Sequence, residues 1–323
     1  MGDAAGKREA GSSAVRHLSL SKMPYPRLHL FFLASVAALS PALSLLITQQ
    51  LPSYQLKVTV RYPASKLPPS QALFLRGDSC GLSWTQGLLL SKSSSQADTW
   101  SAALTCDNAA AAAGIISMKV LVDDRTWSMG CNMHAAAGCA AAVLYPWFFS
   151  TAGHYEYVRD VYSPQLRNTR DLVVYLPPSY TENTLKRVTN LLFMHDGQNL
   201  FNETTSAFGC WHCDKTADDN IIAGAVEEVA IVGVDNTDDR TDELTYSFDA
   251  SQQAGGKGDK YLDFIEQTVM AAVQSRFRIS DNASVALAGS SLGGLITCYA
   301  AVTRPSKWSN AACMSSSFWC VRA

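Results

Sequence analysis

The sequence predicts an α/β fold, a mostly parallel sheet covered by helices on both faces, preceded by a β-sandwich. Three observations carry this. From Thr169 onward, near-continuously apolar strands alternate with segments of helical period, which is the pattern of a parallel sheet buried on both sides. Residues 54–151 instead read as several short strands joined by Gly/Asp turns, with no sustained helical period, which argues a sandwich. Between them, the chain of 323 residues, 47% hydrophobic and 17% charged, is long enough to bury two ordinary cores.

Taken in order, residues 1–53 form a polar leader followed by an apolar run. Residues 1–22 are small and polar, Lys22 and Arg27 supply positive charge, and residues 28–47 carry no charge over about the length that spans a bilayer. The run is a secretory signal, either a cleaved signal peptide or an uncleaved signal anchor, and the second case is the one route to a membrane. Pro41, Ser35, Ser40 and Ser44 favour cleavage. Nine cysteines and two acceptor sequons, Asn202-Glu203-Thr204 and Asn282-Ala283-Ser284, fit the same secretory route to a secreted or membrane-anchored product. Cys210-Trp211-His212-Cys213 has a redox spacing but sits in a polar loop, so it reads as a structural pair or two free thiols. No second pair of comparable spacing accompanies it, and no zinc or other metal is expected. The formal net charge of −2 and the lack of a dense Lys/Arg stripe give no electrostatic reason to bind nucleic acid.

Residues 54–150 are expected as the sandwich, with strands at 55–62, 72–76, 100–106, 115–123 and 126–129. The alanine-rich patches at 109–113 and 135–142 are expected to lengthen loops. Trp100, between alternating residues, is the candidate core tryptophan. The remaining pattern is Gly81-Leu82-Ser83-Trp84, then Lys119, then Asp123-Asp124-Arg125-Thr126-Trp127 and Asn132. These residues loosely resemble the starch-binding modules of carbohydrate-binding family 20, over residues 54–135. That resemblance implies Trp84 and Trp127 as stacking platforms for an α-glucan, with Lys119 and Asn132 hydrogen-bonding sugar hydroxyls. Aromatic residues at 145–162 are expected to pack the join to residues 151–323.

In that last region, strands are expected at 171–176, 190–194, 229–234, 284–288 and 311–315, with helices at 258–277 and 292–302. Tyr261, Leu262, Ile265, Val269, Val273 and Phe277 fall on one helical stripe and read as core. Gly289-Ser290-Ser291-Leu292-Gly293 satisfies G-x-S-x-G between a strand and a helix. This is the nucleophile elbow, which lifts a serine hydroxyl above the strand ends at a helix N-terminus.

The elbow, together with Arg170–Pro178, His195-Asp196-Gly197-Gln198-Asn199 and the loop from Asp235 through Arg240 and Glu243 to Tyr246, resembles the putative-esterase family of α/β-hydrolases over residues 157–319. That family includes esterase D, enterochelin esterase, feruloyl esterases and the mycolyltransferase antigens. The resemblance implies Ser291 as nucleophile, with the backbone N–H groups of Gln198 and Leu292 as oxyanion hole. Gly197 then allows close backbone approach, and Asp196, Arg240 and Glu243 support the loops, Arg240 and Glu243 as a pair. No cofactor is implied.

The sequence departs from the family's pattern downstream. The triad order of this fold is Ser, then Asp or Glu, then His. Yet His17, His29, His134, His154, His195 and His212 all precede Ser291, and no Asp or Glu follows it. The reading is therefore an α/β-hydrolase incomplete at its C-terminus: a serine carboxyl-ester hydrolase acting through an acyl-enzyme on a small-molecule or glycan-linked ester, inactive in this truncated form. Transfer of the acyl group to a sugar hydroxyl, or glycan binding without catalysis, are the alternatives.

Overall fold

A computed structural model describes residues 53–107, 114–207 and 209–320. The polar leader, the apolar run at 28–47 and the alanine patch at 109–113 lie outside the described residues. Among the described residues, no helix is long and apolar enough to cross a membrane.

Among the described residues, nine strands precede residue 145: β1 (Tyr54–Arg61), β2 (Leu73–Gly77), β3 (Leu88–Leu89), β4 (Ser91–Lys92), β5 (Thr99–Cys106), β6 (Ile115–Val122), β7 (Thr126–Trp127), β8 (Met133–Ala136) and β9 (Ala141–Leu144). They form two sheets, ordered β4-β5-β1-β9 and β3-β2-β6-β7, with β8 also on β6. Alternation drives the packing. Leu56, Val58 and Val60 of β1, Leu73 and Leu75 of β2, and Ile116, Met118 and Val120 of β6 all enter one core, which also takes Trp100. The Cys80–Cys106 disulfide ties the end of β5 to the loop after β2. The second alanine patch departs from expectation. Ala135, Ala136, Ala141 and Ala142 belong to β8 and β9, because β6 and β1 offer free edges to pair with.

The rest is a six-stranded mixed sheet ordered β10-β11-β13-β12-β16-β17. Its strands are β10 (His154–Ser163), β11 (Asn168–Leu176), β12 (Val188–His195), β13 (Ala230–Val234), β16 (Ile279–Ser290) and β17 (Asn310–Met314), with the two-residue pair β14 (Phe248–Asp249) and β15 (Ala254–Gly255) apart from it. Four strands run parallel, while β10 and β11 are antiparallel additions at one flank. The sheet is thus mixed, because the hairpin β10–β11 leads into it, and β10 left no period strong enough to read in sequence. Every residue of β13 is buried, as a central strand covered on both faces must be.

Helices are α1 (Ser179–Glu182), α2 (Cys213–Ile222), α3 (Arg240–Glu243), α4 (Gly258–Asp263), α5 (Met270–Arg276) and α6 (Leu292–Thr303). The helix expected over 258–277 is broken by a π turn at Phe264–Val269, so it enters as α4 and leaves as α5. Its stripe is buried as expected, from Tyr261 and Leu262 through Ile265, Val269 and Val273 to Phe277. α2 was not read in sequence. It begins at Cys213, immediately after the loop that carries the C-x-x-C spacing.

Candidate active site

Three loops leave the carboxyl ends of β12, β13 and β16 and meet around an open cleft of about 570 Å³, lined by His195, Gln198, Trp211, Asn236, Arg240 and Ser291 among others. This is the edge where open α/β sheets place their sites.

Ser291 stands between β16 and α6 with φ 60° and ψ −120°, a backbone conformation sparsely populated for any residue with a side chain. Two ladder-like bonds hold it there: its N–H donates to Met314 O at 3.1 Å, and its carbonyl accepts from Ser317 N at 3.0 Å. Of the two flanking glycines, the first is required by what lies beside it and the second sits in a tight space. A Cβ at Gly289 would fall 2.5 Å from His195 Cδ2 and 2.6 Å from the Gly293 backbone; one at Gly293 would fall 3.2 Å from His195 Cβ. The Ser291 side chain is open to the cleft, and its hydroxyl lies 2.9 Å from that of Ser317. Leu292 is the first residue of α6, so its N–H has no partner within the helix.

The loop after β12 carries Gln198, whose N–H is expected as the other backbone donor. Asp196 adopts a left-handed conformation, and Gly197–Asn199 form one 3₁₀ turn. A Cβ at Gly197 would meet Asp235 Oδ1 and the Gly233 carbonyl carbon at 2.6 Å, so only glycine allows Gln198 this close to the sheet end. Gln198 Oε1 accepts from Asn236 N at 3.2 Å, which joins the loop to the one after β13.

The charged residues pair differently from the expectation. Arg240 does not pair with Glu243. It binds Asp196 with two bonds, Nε to Oδ1 at 2.6 Å and Nη2 to Oδ2 at 2.8 Å, and Asn236 Nδ2 adds a third at 2.6 Å. Burial pushes the Asp196 carboxyl up, but these bonds and the Arg240 charge outweigh it and hold the group below the usual carboxylate range. Glu243 turns the other way and receives Arg170 in a bidentate pair, both bonds 2.7 Å and both side chains 1% exposed. Three residues apart on one turn, the two could have met, but each is taken by a partner from outside α3: Asp196 in the loop after β12 for Arg240, and Arg170 on β11 for Glu243.

His195 is buried, its Nδ1 2.8 Å from Tyr261 Oη and its Nε2 3.1 Å from Thr297 Oγ1. Burial lowers its pKa to about 4. Tyr261 is therefore more than core, since its hydroxyl bonds to His195, and Thr297, the partner of the other ring nitrogen, carried no signal in the sequence. So did Trp211, which lines the cleft from the Cys210–Cys213 loop. Both of those thiols are free, and Cys213 is pushed up to about 11 by burial, with Asp214 and Cys210 adding to the shift. Among the described residues there is no cluster fit to hold a metal ion.

Away from the cleft, Trp84 and Trp127 come together, ring centroids 6.3 Å apart and both partly exposed. Arg76, unnoticed in sequence, lies 5.0 Å from the Trp127 ring, donates to Trp84 O at 3.0 Å and is held by Asp124 at 2.8 Å. Lys119 and Asn132 do not join the pair. The Lys119 ammonium donates to Gly130 O at 2.6 Å, and Asn132 lines a separate cleft with Cys131, His134 and Glu227. Asn282 is exposed on the leading part of β16, whereas Asn202 is half-buried and accepts from Thr204 N and Oγ1.

Residues 163–321 match the family model described as "Putative esterase". Over 135 residues the chain is 31% identical to the siderophore triacetylfusarinine C esterase of Aspergillus fumigatus, covering 40% of this chain and 44% of that protein. The chain thus spans less than half the length of that curated relative. Similar solved structures include the siderophore hydrolase EstB from Aspergillus nidulans, at 23% identity, TM-score 0.37, and 52% of this chain against 59% of that one. The enterobactin esterase FES from Shigella flexneri, in the presence of enterobactin, matches at 14% identity and TM-score 0.41 over 83% of this chain and 72% of that one.

Proposed function

We propose that the cleft hydrolyses a carboxyl ester through an acyl-enzyme on Ser291. The observation that carries the reading is the strained backbone of Ser291 at the head of α6, which costs stability and aims an exposed hydroxyl into the cleft. Attack of Oγ on the ester carbonyl forms the Oγ–C bond, gives up the hydroxyl proton to solvent and leaves a tetrahedral oxyanion. The free N–H of Leu292 and that of Gln198 are the donors to receive it. Collapse re-forms the carbonyl and breaks the bond to the alcohol oxygen, which takes a proton from solvent; water then attacks the acyl-enzyme, breaks the Oγ–C bond, returns a proton to Oγ and releases the acid. Asp196, Arg240 and Asn236 hold the Gln198 loop in place.

The attacking hydroxyl needs a base, and here it meets the Ser317 hydroxyl instead of an imidazole. His195 is committed to Tyr261 and Thr297. Slow turnover by the 323-residue chain is therefore the expectation. The similarity to the triacetylfusarinine C esterase favours a siderophore-type ester as substrate. A second reading, a carbohydrate-associated ester presented by a glucan-binding sandwich, draws on the exposed Trp84–Trp127 pair. The Cys80–Cys106 and Cys298–Cys313 disulfides and the sequons at Asn202 and Asn282 favour the secretory pathway as its place of action.

The test is labelling with a fluorophosphonate probe, the modified serine located by mass spectrometry. Label on Ser291, lost in Ser291→Ala and kept in Ser290→Ala, supports the reading. Label that persists in Ser291→Ala, or none on the folded parent chain, overturns it.

A further inference from the structure

We propose that His195 is a positioning residue: a neutral imidazole, protonated on Nε2, that fixes the spacing between the two backbone donors at Gln198 and Leu292. The proposal rests on the reading of Ser291 as the acylated serine, and it assigns this histidine a task other than proton transfer.

The tautomer follows from counting hydrogens. Thr297 has one hydroxyl hydrogen, and it donates to Gly293 O at 2.7 Å. At the 3.1 Å contact with His195 Nε2, the Thr297 oxygen must then accept, so Nε2 carries the proton. Nδ1 is left as a lone pair, and Tyr261 donates its hydroxyl hydrogen to it at 2.8 Å. The chain of donors therefore runs in one direction: from Tyr261 to His195, and from His195 through Thr297 to the Gly293 carbonyl in the first turn of α6. Every member is buried, so no water competes for these bonds.

The placement turns that chain into a spacer. His195 is the last residue of β12 and lies three positions before Gln198, while Gly293 directly follows Leu292. The imidazole sits against both elbow glycines, where a methyl group at Gly289 would overlap the ring. The ring thus fills the gap between the two loops that carry the two donors. Its rotation is stopped at both nitrogens. The charged groups facing it are Asp196 and Arg240, with Arg170 and Glu243 behind Tyr261. A second proton on the ring would remove the acceptor that Tyr261 uses.

The experiment is a long-range ¹H–¹⁵N spectrum of the full chain labelled at histidine, with His195 assigned by its loss in His195→Gln. Nε2 protonated and Nδ1 bare, unchanged from pH 7 down to 5, is the expected result. Protonation on Nδ1, or titration near pH 6.5, overturns the proposal. The second measurement is Tyr261→Phe, which removes the Nδ1 bond and keeps the ring packing. The amide resonances of both Gln198 and Leu292 should shift, and fluorophosphonate labelling of Ser291 should slow about tenfold with little change in melting temperature. Unshifted amides and an unchanged labelling rate, whatever the melting temperature does, mean that the network only supports the fold and overturn the proposal. Labelling that survives Ser291→Ala instead sinks the esterase reading and leaves the spectra of His195 as a separate result.

Discussion

Tyr62, directly after β1, reaches to Glu182 in α1, its hydroxyl donating to Oε1 at 2.9 Å across a sequence separation of 120. The same carboxylate accepts three backbone N–H groups from the connecting segment: Phe148 at 2.7 Å, Phe149 at 2.9 Å and Ser150 at 2.7 Å. The carboxylate is buried, and four donors face it, so it anchors the aromatic connector and both of the elements it joins.

Glu182→Ala is expected to cost about 3–5 kcal/mol, since it leaves buried donors unpaired at once. Glu182→Gln keeps the volume but turns one acceptor into a donor facing N–H groups, and is expected to lie a little below that figure. Urea denaturation followed by tryptophan fluorescence measures both. A loss under 1 kcal/mol for Glu182→Ala would show that water replaces the carboxylate.

Gly289→Ala should destabilise the chain by about 1–3 kcal/mol or prevent folding. The added methyl meets the His195 ring and the Gly293 backbone, and neither can retreat without breaking a hydrogen-bonded network. Gly138→Ala is the control. There φ is +81° but open space surrounds the position, so only backbone strain of about 1 kcal/mol is expected. Thermal unfolding of the two variants separates overlap from strain.

Much of this site was legible because a short motif encodes a local shape. Gly289, Ser291 and Gly293 specify a sharp turn between strand and helix; at Gly289 a Cβ would overlap the His195 ring, and at Gly293 it would be in tight contact with the same residue. The partners of charged groups were not legible. Glu243 is three residues from Arg240 and on the same helix face, whereas Asp196 is 44 residues away and reaches it only through the fold, by the approach of the loop after β12. Tyr261 falls on a perfect apolar stripe, so the period reports its ring and hides its hydroxyl. Lys119 illustrates the converse: a cation on an outward-facing strand position bends back to Gly130 O, a local choice that no pattern announces. Burial there lowers its pKa, Cys131 opposing the shift.

Trp127→Ala, or Trp84→Ala, is expected to weaken retention in an α-glucan gel by about 1–3 kcal/mol if the exposed pair stacks sugar rings. Arg76→Ala should act in the same direction through Trp127, because its guanidinium lies over that ring and also holds the backbone of Trp84. Lys119→Ala and Asn132→Ala are expected to leave retention unchanged, since the Lys119 ammonium is taken up by Gly130 O and Asn132 lines a separate cleft. A parent chain that migrates identically with and without glucan rules the platform out.

Asp235 gives a pH-dependent prediction whose sign is fixed by its surroundings. It follows β13, its Oδ1 is buried without a hydrogen-bond partner, and that oxygen faces Gly197. Burial, with Asp171 adding to it and Arg159 and Arg170 opposing, raises its pKa to about 6. The folded state therefore holds this proton more tightly than the unfolded chain, whose value is about 3.9. Below pH 4 the carboxyl is protonated in both states and contributes no penalty. As pH rises from 4 to 6 the folded state loses stability on this account, and above 6 the whole penalty is present. Asp235→Asn removes the titration and keeps the shape. The variant should be more stable than the parent at pH 7.5 by about 1–2 kcal/mol, a figure reduced for the group's partial exposure, and no more stable at pH 4. His195 titrates in a similar window with the opposite sign, its buried neutral ring losing stability as pH falls from 6.5 toward 4, but it is common to both proteins and cancels in the difference. Paired urea titrations at the two pH values read the effect directly. A gain equal at pH 4 and 7.5 would mean that the new amide stabilises by hydrogen bonding and that Asp235 carries no charge penalty.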